Sequence, residues 1–111
     1  MSVDGLWTTE MYGLHGWENT GVLVLKIGQA IGGGRNHYSV GTYSQSGDDI
    51  SISIDIIYHG TPRTLFGSSD STLSLQLNGR HTEELIEGAI FRRENPKQTL
   101  SVRMTKRAGI I

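Results

Sequence analysis

"DISISIDIIY", residues 49 to 58, alternates without a break: Ile50, Ile52, Ile54 and Ile56 fall on one side of an extended chain, and Ser51, Ser53 and Asp55 on the other. Successive side chains of a strand point to opposite faces, so this period makes a strand with one apolar and one wet face. The same grammar recurs in "TLSLQLNG" at 72 to 79, where Leu73, Leu75 and Leu77 oppose Ser74 and Gln76, and in "TLSVRMTKR" at 99 to 107, where Leu100, Val102 and Met104 oppose Ser101, Arg103 and Thr105. Further strands are expected at about 5–12, 21–27, 37–44 and 83–93, punctuated by turn chemistry at Gly28, Ser46-Gly47-Asp48, Asn78-Gly79 and Asn95-Pro96. The one helix candidate, "HTEELIEGAIFRRE", contains Gly88 and runs into Asn95-Pro96, so it too reads as strand.

About seven or eight regularly spaced strands joined by short turns predict an all-β fold, a small antiparallel up-and-down β-barrel whose closure removes exposed edges. The 111 residues make one domain, 1–111, able to bury a core without metal or disulfide. The inner face is expected from Trp7, Val22, Val24, the even-numbered isoleucines, Leu73, Leu75, Leu77 and Phe91. If these do not fill the centre, an apolar pocket results.

Composition narrows the function classes. There is no cysteine, hence no thiolate nucleophile or thiolate metal site, and the net charge is -1, which gives the whole chain no strong pull towards nucleic acid or membrane. No apolar run approaches the ~20 residues of a membrane helix, and "MSVDGLWTTE" has no signal-peptide pattern, so a cytoplasmic protein is expected. Six of the ten basic residues (Arg92, Arg93, Lys97, Arg103, Lys106, Arg107) lie in the last twenty positions, where Glu94 is the only acid. They read as charged outer faces of two edge strands, with an acidic partner as the competing reading.

"KIGQAIGGGRNHYSVGTYS", 26 to 44, sets four glycines within seven residues. A phosphate-binding glycine turn opens a helix; here a strand follows, and Gly34-Arg35 stand where a P-loop needs Lys and Ser or Thr. A β-hairpin turning at Ile27 to Gln29, then glycines where backbone bends or passes close to a neighbour, is the better reading. The histidines at 15, 37, 59 and 81 are each 22 residues apart. Flanking residues do not repeat beyond His15-Gly16 and His59-Gly60, so 22 residues is the length of two strands with their turns, a period that would bring all four near one barrel end. With no HxH or HxxxH pair, no metal is expected. Asp48-Asp49 and Glu83-Glu84 alternate faces and form no shared-proton pair, and no serine sits in a GxSxG elbow, so neither catalysis nor a cofactor is expected.

Several segments together resemble one family: "DGLW" at 4 to 7, "TGVLVLKIGQAIGGG" at 20 to 34, "YSVGTYS" at 38 to 44, "LNGR" at 77 to 80, "EGAIF" at 87 to 91 and "SVRMTKRAG" at 101 to 109. In this order, and over nearly the whole chain, they are similar to the GrlR family, negative regulators of type III secretion. The resemblance implies a calycin/lipocalin-like barrel that forms a homodimer, has an apolar cavity for a lipid-like ligand, and represses by binding a transcriptional activator rather than DNA. The regulator's acidic run lies in a strand-connecting turn; the matching turn here, "SQSGDDIS", carries only Asp48 and Asp49, which weakens attraction for a basic partner. Two functions follow as expectations. One is a non-enzymatic binding module that captures a protein through Asp48 and Asp49. The other is a carrier of a small apolar ligand in a cavity lined by Trp7, Tyr38, Tyr43, Ile52, Ile54 and Phe91.

Overall fold

The computed structural model describes residues 2–13, 15–62 and 70–110. Eight strands follow one another: β1 (Gly5–Gly13), β2 (Gly16–Lys26), β3 (Gln29–Gly33), β4 (His37–Ser46), β5 (Asp49–Tyr58), β6 (Thr72–His81), β7 (Leu85–Arg92) and β8 (Asn95–Ala108). Each pairs antiparallel with the next and β8 pairs with β1, so the sheet closes into the expected up-and-down barrel. The alternating strands deliver the core directly. Ile52, Ile54 and Ile56 stand opposite Leu77, Leu75 and Leu73 on the inner face, joined by Ile86, Ile90, Val102 and Met104.

Alternation fails to assign a side where both phases are apolar. In "VLVL" of β2, Leu23 and Leu25 are the buried pair and Val22 and Val24 face outwards, the reverse of expectation, because Trp7 and Gly5 of β1 stand opposite Leu23 and Leu25. The register shift between Thr9 and Glu10 turns Thr20 inwards, where its hydroxyl lies 2.9 Å from that of Thr9. Phe91 also lies outside, since its neighbour Ile90 takes the inner position.

Turn chemistry was legible in two places and misplaced in two. Ile27-Gly28 join β2 to β3 with φ of 49° and 79°, a primed two-residue hairpin, and Gly47, with φ of 60°, leads the β4–β5 turn. Asn78-Gly79, expected as a turn, lies inside β6: a Cβ on Gly79 would stand 2.5 Å from the Glu87 carbonyl, so the glycine serves a close strand approach. The last hairpin turns at Arg93-Glu94, with Arg92 paired to Asn95, and Pro96 sits at the start of β8, where a strand tolerates proline.

The "DGLW" segment closes one end of the barrel. Val3 is buried in the core and its carbonyl accepts a hydrogen bond from Trp7 Nε1 at 2.9 Å, which satisfies an indole that is itself fully buried. Asp4 then accepts from the Tyr43 hydroxyl and, at 3.4 Å, from the Ile27 amide, tying this plug to β4 and the β2–β3 turn.

Candidate functional site

The barrel centre is filled. The space left between Met11, Leu23, Ile52, Ile54, Ile90 and Met104 is about 30 Å³, room for one water, whereas small-molecule sites start near 300 Å³. Of the six residues expected to line an apolar cavity, Trp7, Ile52 and Ile54 are packed core. Tyr43 is half-buried against that core, and burial, then its hydrogen bond to Asp4, pushes its hydroxyl above the usual tyrosine range. Tyr38 and Phe91 do not belong to the interior at all. His37 and Ser39 take the inner positions of β4, which turns Tyr38 out to 48 % exposure.

Two stretches of the outer surface are unlike. On β5 and β6 the outward side chains are polar and bonded to one another: Ser53 donates to Gln76 at 2.5 Å, Gln76 donates to Ser51 at 2.6 Å, and Ser74 donates to Asp55 at 2.8 Å. Across the middle of β1 to β4 two apolar rows run between polar outward residues such as Thr8, Gln29 and Thr42. The register aligns Leu6, Val24, Ile31 and Val40 in one row and Val22, Gly33, Tyr38 and Ile57 in the next. Ile31 is 52 % exposed and Val22 and Val40 each 42 %, so the patch is presented to the surroundings rather than folded away. The sequence carried the sign of this patch in the doubly apolar "VLVL" and in "YSV", but only the register says which phase faces out.

The acidic turn sits where expected, with Asp48 and Asp49 exposed at the β4–β5 tip. Arg80 of β6 lies 3.7 Å from Asp48 and 3.9 Å from Asp49, so the turn's negative charge is partly offset, a neighbour that spacing alone did not reveal. His81 braces the turn from beneath: its buried Nε2 stands 2.9 Å from the Gly47 carbonyl and 3.0 Å from the Gln45 side-chain amide. The His81 backbone amide also donates to the Asp48 carbonyl at 2.8 Å.

The basic C-terminal region has no edge strands to protect, because β8 is closed onto β1. Several of its charges are engaged by neighbouring strands. Arg92 pairs with Asp70 and Glu94, Arg93 with Asp55 at 2.9 Å, and Arg103 with Glu10 at 3.1 Å while stacking 4.2 Å over the Trp17 ring. The Arg103 hydrogen bond holds the Glu10 carboxyl below the usual carboxylate range. The histidines do not assemble. His15, His37 and His59 lie towards one end, one per pair of strands, but β6 carries His81 to the other, and no metal-holding group occurs among the described residues.

Compared with known proteins, the chain matches no family model and no curated protein.

Proposed function

We propose that this chain is a regulatory binding protein of the GrlR kind, a non-enzymatic barrel that works as a homodimer and holds a protein partner, such as a transcriptional activator, on its outer surface. The observation that carries this reading is the contrast between the self-bonded polar network on β5 and β6 and the two exposed apolar rows that cross β1 to β4. The occupant of the apolar rows is a second copy of the chain. The two rows carry no charge between Leu6 and Val40 or between Val22 and Ile57, so the patch meets its own copy without like-charge repulsion, as an isologous interface requires.

The partner is assigned to the Asp48-Asp49 turn. Val40 lies six residues before the end of β4 at Ser46, about 20 Å of extended chain, and the Asp48-Asp49 turn lies beyond that end, clear of the dimer face. The carrier reading has the filled interior against it, since about 30 Å³ admits no lipid-like molecule. The test is Asp48→Lys with Asp49→Lys. Partner capture should be lost while the dimer and its thermal unfolding stay as they were; capture at the original level would remove the turn from the account.

A further inference from the structure

The two ends of the barrel are finished differently. One is stoppered by Val3 and Trp7. At the other a pocket of about 350 Å³ opens between Asn19, Thr20, Arg35, Asn36, His37 and Tyr58, with the backbone of Gly21 and Gly34 completing its wall. That volume lies at the lower end of the range for small-molecule sites.

Its floor gathers two of the four buried polar residues among those described, Thr20 and His37, beside the Tyr58 ring. Thr20, His37 and Tyr58 are each more than nine-tenths buried, at 7 %, 8 % and 8 % exposure. The wall depends on the glycine stretch. A Cβ on Gly34 would stand 2.6 Å from the His37 ring, so a bare backbone there lets the imidazole lie against the β3–β4 turn, and the Gly34 amide donates to the His37 carbonyl at 3.0 Å.

The charge of the pocket is one-sided. Arg35 is its only formally charged lining residue, and among the described residues no carboxylate pairs with it. A guanidinium presents a planar fork of donors that matches a carboxylate. Below, the pocket narrows at Thr20 and His37 into the filled centre, where about 30 Å³ has no room for an acyl chain. The His37 and Tyr58 rings meet edge to face with centroids 5.7 Å apart, giving the floor a flat aromatic border.

We infer that this pocket binds a compact organic carboxylate, with its anionic group on Arg35 and its ring or short chain over Thr20, His37 and Tyr58. The site lies at the opposite end of the barrel from Asp48-Asp49, so it stands or falls independently of partner capture.

The experiment is a titration of the full chain followed by amide NMR shifts, with benzoate, neutral benzamide and inorganic phosphate as probes. Saturable benzoate shifts confined to Asn19, Gly34, Asn36 and His37, weakened about tenfold or more for benzamide and phosphate and by Arg35→Gln, are the expected result. Because Arg35 is exposed, that variant should keep the parent spectrum elsewhere. The inference is overturned by benzoate shifts that never saturate or lie elsewhere, by benzamide or phosphate binding as tightly as benzoate, or by undiminished affinity in Arg35→Gln.

Discussion

Ile31→Lys should break the dimer without disturbing the barrel. Ile31 stands mid-strand on β3 with Val24 on one side and Val40 on the other, pointing away from the core. Complete burial of an isoleucine is worth about 1.5–3 kcal/mol, and with 52 % of its surface exposed in the single chain, roughly half of that is still to be gained at an interface. A two-fold interface counts the residue twice, so the apolar loss is about 1.5–3 kcal/mol, before the cost of bringing two ammonium groups into a desolvated contact. At 1.4 kcal/mol per tenfold, the dimer dissociation constant should rise by at least ~10-fold. Sedimentation equilibrium across a concentration series measures this, and circular dichroism checks that the strands persist. An unchanged dimer in the variant, or a parent chain that is monomeric at every concentration, would refute the assignment of this face.

Three further outcomes follow from the backbone and the plug. Ile27 holds φ of 49° at an 81 % exposed hairpin tip, a conformation that β-branched residues resist, so Ile27→Asn should stabilise the chain by about 1 kcal/mol in denaturant unfolding. A Cβ on Gly41 would lie 1.9 Å from the Ser53 carbonyl oxygen, a backbone atom that cannot step aside, so Gly41→Ala should cost about 2–3 kcal/mol or more by the same assay. Tyr43 titrates above its ordinary value because it is buried and donates to Asp4; its unfolded form therefore loses its proton first. The stability it contributes is whole below about pH 10 and falls as pH rises through the folded value, and Tyr43→Phe should flatten that alkaline loss.

The fold was legible because β5, β6 and β8 place apolar and polar residues in strict alternation, which leaves one solution for what faces in. Where the chain is apolar in both phases, as at Val22 to Leu25, the side is decided by partners far away in sequence, here Gly5 and Trp7, and alternation had no vote. Tyr38 and Phe91 were misassigned for a related reason: large rings invite burial, yet His37, Ser39 and Ile90 hold the inner positions. The acidic turn was found by its Gly47, whereas Arg80 beside it comes from a strand about thirty residues on and left no local trace. The glycines at 32 and 33 are close-approach backbone, as their clustering between strands implies. A Cβ on Gly32 would lie 2.0 Å from the Val22 carbonyl.

The central claim is that this barrel acts through its outside, and native mass spectrometry of the chain recovered gently from its own cells tests it most directly. The account predicts twice the chain mass together with a second protein, and loss of that second protein, but not of the dimer, in the Asp48→Lys, Asp49→Lys variant. A single chain carrying only a small apolar mass would contradict it, because the interior would then have to open well beyond the 30 Å³ between Met11, Ile54 and Met104.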